Sequence, residues 1–136
     1  MSNSIYVFDT NSVVSALLIP RSVSQLALAK AIDGGQLAQS LATMDELRQV
    51  LERPKFDKYV TREERIRFFT ALTRTARLVE TDVTITACRD PKDNKFLELA
   101  VSAQAQAIVS GDDDLLTLHP FQSIPILTPR AFLDQT

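Results

Sequence analysis

The chain has 136 residues, a net charge of −2, a single cysteine and a single histidine, and 45% of its residues are hydrophobic. This predicts one globular domain spanning 1–136 around a single core. No apolar run approaches the ~20 residues of a membrane span. Cys88 alone cannot form an internal disulfide, and Cys88 with the distant His119 supplies zinc poorly.

The N-terminal residues Met1-Ser2-Asn3-Ser4 lack a basic stretch before a long apolar run. No secretory leader is expected, and with the lone cysteine this predicts a cytoplasmic protein. Ser4 to Phe8 reads as a buried strand ended by the turn-prone Asp9-Thr10-Asn11. Val13 to Leu18 predicts one or two helical turns before Pro20. Ser22 or Ser24 caps a helix running to Gly34-Gly35. Leu37 to Leu41 is a second strand. A helix then opens at Thr43, where Thr43 and Glu46 have capping-box spacing, and it ends by Pro54.

Thr61 with Glu64 predicts a second capping box ahead of Ile66, Phe69, Leu72 and Ala76. Arg77 to Glu80 is a weak strand, and Asp93 begins an apolar helix. Ala107 to Val109 is a strand, and Asp112 to Leu118 a short helix. Ile124 to Leu127 is the last strand, and Pro129 suits the first turn of a terminal helix. Strands alternating with helices predict a three-layer α/β/α sandwich with a mostly parallel sheet.

Charge is unevenly spread. Nine basic and four acidic residues lie between Arg48 and Arg77, a net of +5, leaving −7 for the rest. A basic middle beside an acidic remainder suits a polyanion held near a cation-filled pocket, with Arg48, Arg62, Arg65 and Arg67 the candidate contacts to its backbone. The same residues also suit an ordinary solvated helical surface.

Four carboxylates, Asp9, Glu46, Asp93 and Asp112, stand where apolar runs give way to polar or helical sequence. In a parallel sheet such positions meet along one edge, where ligands bind. Carboxylates gathered there repel one another unless a cation neutralises them, and Mg²⁺ or Mn²⁺ prefers oxygen ligands. Each acid also has a local alternative: a turn for Asp9, the capping box for Glu46, and helix starts for Asp93 and Asp112. Three successive acids, Asp112-Asp113-Asp114, exceed what one cap needs. The combination points to metal-dependent phosphodiester chemistry.

Other chemistries have less support. Arg89 beside Cys88 would lower the thiol pKa, but no histidine partner is near. His119, in a turn before Pro120, reads as structural. There is no Gly-x-Ser-x-Gly elbow and no glycine-rich phosphate loop. Phe68 and Phe69 are expected in the core more than as base-stacking platforms.

Val7-Phe8-Asp9-Thr10-Asn11, Glu46 ahead of Arg53-Pro54-Lys55, Asp90-Pro91-Lys92-Asp93-Asn94-Lys95-Phe96-Leu97 and Ile108-Val109-Ser110-Gly111-Asp112-Asp113-Asp114 together resemble the PIN-domain family. The likeness spans roughly Ile5 to Leu127 and is strongest to toxin components of toxin–antitoxin pairs. It implies a Mg²⁺- or Mn²⁺-dependent ribonuclease with Asp9, Glu46, Asp93 and Asp112 as its acidic quartet. Asp9, Asp93, Asp112 and Asp114 are then the metal-binding set, with Asn11 and Ser110 as supporting polar residues. It also implies an RNA substrate, an antitoxin partner and a homodimer. Two other readings stay open on the residues alone. One is a haloacid-dehalogenase-type phosphatase using Asp9, although that motif wants an acid where Asn11 stands. The other is a catalytically silent RNA- or metal-binding module.

Overall fold

The computed structural model describes residues 4–135; the first three residues, on which part of the leader expectation rests, lie outside it. Five strands, β1 (Ile5–Phe8), β2 (Gln36–Gln39), β3 (Arg77–Leu78), β4 (Ala107–Val109) and β5 (Ile126–Leu127), form one sheet in the order β3-β2-β1-β4-β5. Every pairing is parallel. The crossovers carry α1 (Thr10–Leu18), α2 (Val23–Gly34), α3 (Leu41–Leu51), α4 (Arg62–Thr75), α5 (Asn94–Ala103) and α6 (Asp113–Leu116), and α7 (Pro129–Asp134) closes the chain. None of the described helices is long and apolar enough by itself to cross a membrane.

Alternation along the strands builds three layers. Ile5 and Val7 of β1, Ala38 of β2, Ile108 of β4 and Ile126 of β5 join one apolar cluster with Phe96, Leu97, Leu99 and Ala100 of α5 and Leu115 of α6. Their neighbours Phe8, Leu37 and Val109 join the other with Val13, Leu28, Leu47, Leu72 and Phe132, contributed by α1, α2, α3, α4 and α7. Burial on both faces accounts for the continuous apolar runs of β1 and β4. Phe68 and Phe69 pack against this second cluster, as expected.

Several boundaries move from their predicted places for identifiable reasons. Helix α1 starts directly after β1, because Asp9 caps it by accepting from Ser12 N at 2.9 Å. Leu41 belongs to α3 rather than β2. The α3 capping box is Ser40 with Thr43, so Glu46 is not used as a cap. Thr61 and Glu64 form the predicted box on α4, and Ser22 is the cap of α2. Gly35 permits the close approach of α2–β2 to the start of β1, since a Cβ there would lie 2.4 Å from Ser4 O.

Candidate active site

The strand order reverses direction at β1, which β2 and β4 flank. The carboxyl ends of β1 and β4 therefore open onto the crevice where parallel α/β sheets bind ligands. Asp9 follows β1, and Ser110 and Asp112 follow β4. Parallel register places Phe8 beside Val109, and Asp9 N donates to Val109 O at 3.1 Å. The topology thus brings residues about a hundred positions apart into contact.

Asp9 is only 5% exposed, and both carboxylate oxygens are engaged. Oδ1 accepts from Ser12 N, and Oδ2 accepts from Ser110 Oγ at 2.5 Å. The Ser110 hydroxyl in turn accepts from Asp112 N at 2.9 Å. Fully buried Ser110 is therefore a bridge that fixes Asp9 relative to the β4–α6 turn. Asp112 caps α6 by accepting from Asp114 N at 3.0 Å.

Asp93 lies at the end of the short 3₁₀ turn Pro91–Asp93, at the start of α5, and makes no side-chain capping hydrogen bond. Its carboxyl instead donates to Asp112. Burial above all, then this hydrogen bond and the charges of Asp112, Asp90 and Asp9, push the Asp93 pKa up to about 7. Burial, with a further contribution from Asp112, also raises Asp9, while donation from Ser110 and Ser12 pulls it back. Asp9, Asp93 and Asp112 thus form one electrostatically coupled group in which a proton relieves like-charge repulsion.

Glu46 is organised differently. Its Oε1 is 2.5 Å from Lys95 Nζ, and its Oε2 accepts from Thr10 Oγ1. Thr10 adjoins Asp9, and Lys95 is two residues past Asp93, so this pair flanks the aspartates on the β2 side. Thr10 and Lys95 both lie within the sequence motifs of the acids, yet the sequence pattern assigned neither a role. The signal available was a hydroxyl and a cation each close to a candidate acid.

On the β4–β5 side the crevice has a volume of about 700 Å³. Asp9, Asn11, Ser12, Ser15, Ser24, Asp112, Asp113 and Asp114 line it, together with Gly111 and Pro129. Asn11 is exposed at its mouth, and Asp114 is half-buried in its wall. Among the described residues no three His, Cys, Asp or Glu side chains are already arranged to hold a metal ion. The donor chemistry nevertheless fits a hard divalent cation. The ligands are carboxylate oxygens, and the raised Asp93 pKa marks a place where a proton relieves repulsion that a cation would relieve as well.

Arg65 corrects an expectation. It is 2% exposed, donates to Asp57 Oδ1 at 2.6 Å and to Val60 O at 3.2 Å, and so is a buried structural residue, not a surface available to RNA. Its position on the α4 face that packs inward overrides its charge. Arg48 is paired with Asp45 at 2.9 Å, and Arg67 reaches Glu63 at 3.7 Å. Arg48, Arg62 and Arg65 border a separate apolar groove containing Leu51, Ile66 and Phe69, not the acid crevice. Cys88 is a second correction: burial, reinforced by Asp93, Asp114 and Asp112, pushes its thiol pKa up despite Arg89. His119 is structural, its Nδ1 accepting from Ile126 N at 2.8 Å.

A family model described as PIN domain matches residues 6–114, the span that contains all of these acids. The chain belongs to the PIN-domain family. It is 27% identical over 139 residues to Uncharacterized protein MJ1680 of Methanocaldococcus jannaschii, covering 95% of this chain and 89% of that protein. One chain of the crystal structure of VapBC2 from Rickettsia felis, bound to a DNA fragment from its promoter, superimposes with a TM-score of 0.60. That match covers 90% of this PIN domain and 96% of the other chain at 13% identity, a likeness of fold.

Proposed function

We propose that this PIN domain is a Mg²⁺- or Mn²⁺-dependent endoribonuclease that acts as the toxin of a toxin–antitoxin pair. The observation that carries the reading is the coupled group Asp9, Asp93 and Asp112 at the carboxyl ends of β1 and β4, supported by Ser110 and open to a polar crevice. Asp9, Asp93 and Asp112, with Asp114 on the crevice wall, are the residues that would hold the cation. When bound, such an ion neutralises phosphodiester charge and makes water a better nucleophile at neutral pH.

The protein's own contribution is positional. Asp9 is fixed by three neighbours, counting Val109 O as acceptor of its amide. Asp112 is oriented through its amide by Ser110 and is engaged by Asp114 N. Asn11 and the serines of α1 and α2 give the crevice donors and acceptors suited to ribose and phosphate oxygens. Arg48, Arg62 and Arg67 remain exposed for contacts farther along an RNA backbone.

An antitoxin partner is supported by the fold shared with a VapBC2 chain. A homodimer is supported by exposed Ile19, Leu26 and Ile32 around α1 and α2. Family membership supports the nuclease reading over the phosphatase one.

The deciding experiment is cleavage of a labelled single-stranded RNA by wild type and Asp9→Asn, in Mg²⁺ or Mn²⁺ and in EDTA. Cleavage that needs both the cation and Asp9 is the expected result. Folded wild type that binds RNA but cuts none in either metal would sink the reading and leave a silent binding module.

A further inference from the structure

Glu46 is the one member of the quartet whose carboxylate is already committed to a cation of the protein. Both of its oxygens are engaged, Oε1 by Lys95 Nζ at 2.5 Å and Oε2 by the Thr10 hydroxyl. A ligand to a divalent ion in that position would have to give up the ammonium or place two positive centres against one carboxylate. An ammonium, by contrast, has three N–H donors. Glu46 is the only acceptor that Lys95 finds among the described residues, and the Lys95 side chain is 22% exposed.

The location of Lys95 matters as much as its partner. The lining of the acid crevice includes no lysine or arginine, so a phosphodiester arriving there meets carboxylates, hydroxyls and the Asn11 amide but no cationic side chain. Lys95 is not among the residues that line that crevice, yet it is two residues past Asp93 and is tied through Glu46 to Thr10, which adjoins Asp9. An RNA strand held at the aspartates would have in this ammonium a cation carried by the same two sequence segments, Asp9-Thr10 and Asp93-Asn94-Lys95.

We propose that Lys95 is a substrate-phosphate contact of this site, and that Glu46 and Thr10 are the positioning residues that hold it. Glu46 thus serves the reaction through Lys95 rather than as a ligand to the cation. The assignment deepens the nuclease reading and takes its substrate class from it. Lysine suits the task because its ammonium is a compact point charge with donors to spare after one ion pair. The Thr10 hydroxyl removes the second Glu46 oxygen from competition and fixes which way the carboxylate faces.

The test compares wild type, Lys95→Met, Lys95→Arg and Glu46→Gln, each checked for a cooperative thermal transition. Two affinities are measured separately: Mn²⁺ by electron paramagnetic resonance of the free ion, and a fluorescein-labelled single-stranded RNA by anisotropy in Ca²⁺ across a salt series. Lys95→Met should bind Mn²⁺ within about twofold of wild type yet bind RNA roughly tenfold more weakly, with a salt slope smaller by about 0.7 for one lost phosphate contact. Lys95→Arg should retain most of the RNA affinity. Glu46→Gln should lose RNA affinity with Mn²⁺ affinity kept, and combining it with Lys95→Met should add little, since the two residues act as one unit.

Tighter Mn²⁺ binding by Lys95→Met with unchanged RNA affinity would overturn the assignment and make Lys95 a competitor of the cation. Weaker Mn²⁺ binding by Glu46→Gln with RNA affinity intact would overturn it as well, making Glu46 a ligand. If Lys95→Met fails to fold, Thr10→Val carries the same expectation through Glu46. The two readings fail separately. RNA affinity that depends on Lys95 in a protein that cuts nothing refutes only the nuclease. Metal-dependent cleavage with wild-type RNA affinity in Lys95→Met refutes only the role of Lys95.

Discussion

Asp9 and Arg65 are both charged side chains removed from water, 5% and 2% exposed, yet the chain treats them in opposite ways. Arg65 has a counter-ion, Asp57, which is itself 62% exposed, and a backbone carbonyl. Asp9 has only neutral donors, Ser110 and Ser12, and its nearest charged influence is another carboxylate, Asp112. A buried charge that the fold itself neutralises holds helices in place. One surrounded by more charge of its own sign is unfinished without something from outside. The contrast separates structural from functional ionisation better than burial alone, and it explains why Arg65 leaves the proposed RNA surface while Asp9 stays in the site.

The sharpest way to break the comparison is to weaken the support of Asp9 without touching its charge. Ser110→Ala removes the donor to Asp9 Oδ2 and the acceptor of Asp112 N together. Residues that orient ligands in this way are typically worth about 10- to 100-fold in metal affinity. Mn²⁺ affinity and cleavage rate should fall together by that factor. Wild-type Mn²⁺ binding in Ser110→Ala would mean that Asp9 is placed by α1 capping alone.

The counterpart on the other side is Asp57→Ala, which leaves the guanidinium of Arg65 buried beside Val60 O. Breaking a buried pair costs about 3–5 kcal/mol, and the exposure of Asp57 to solvent lowers that to about 2 kcal/mol here. Urea unfolding should show the loss, while the Mn²⁺ affinity of the folded protein stays as in wild type. A variant that loses metal binding but no stability would invert the roles assigned to the two regions.

pH sharpens the difference further. The folded-state pKa of Asp93 is about 7, above the ordinary value of 3.8, so the folded protein holds a proton that the unfolded chain releases. This group's favourable contribution is therefore complete below about pH 4 and is lost as pH rises through 7. Metal-free protein should melt at progressively lower temperature over that window. Asp93→Asn should flatten the dependence, and saturating Mg²⁺ should oppose it by binding the ionised form. A metal-free melting temperature that does not change between pH 4 and 7 would argue that Asp93 is already solvated and uncoupled from Asp112.

Much of this arrangement is legible in the amino-acid sequence. Strand ends in a parallel sheet converge by topology, so Asp9, Asp93 and Asp112 can be grouped from the apolar runs that precede or follow them. The alternation that sorts Val7 from Phe8 and Ile108 from Val109 is a property of extended chain, which is why the three layers are predictable. Packing direction is not legible in the same way. Nothing in Arg62-Glu63-Glu64-Arg65 says which arginine faces inward, because that depends on how α4 rotates against α3 and on Asp57 in the preceding loop. Ser40 and Thr43 beat Thr43 and Glu46 to the capping box because β2 ends at Gln39, two residues earlier than its apolar pattern suggests. That shift is what leaves Glu46 for Lys95.

The smallest expected effect concerns the arginines that remain exposed. Arg62 borders the apolar groove, with no acid partner among the salt bridges of the described residues, and Arg67 has only a long, exposed pair with Glu63. A screened surface charge contributes little to stability, so Arg62→Glu and Arg67→Glu should leave melting unchanged within about 0.5 kcal/mol. If RNA passes over α4, each lost phosphate contact should reduce the salt slope of single-stranded RNA binding by about 0.7. Arg65→Met should instead lower stability, and the slope measured on its folded fraction should match that of wild type. Equal slopes in all three variants would confine RNA to the acid crevice and its immediate rim. The basic stretch would then serve the packing and solubility of α3 and α4, and the −2 net charge would be offset at the site only by the bound cation and by Lys95.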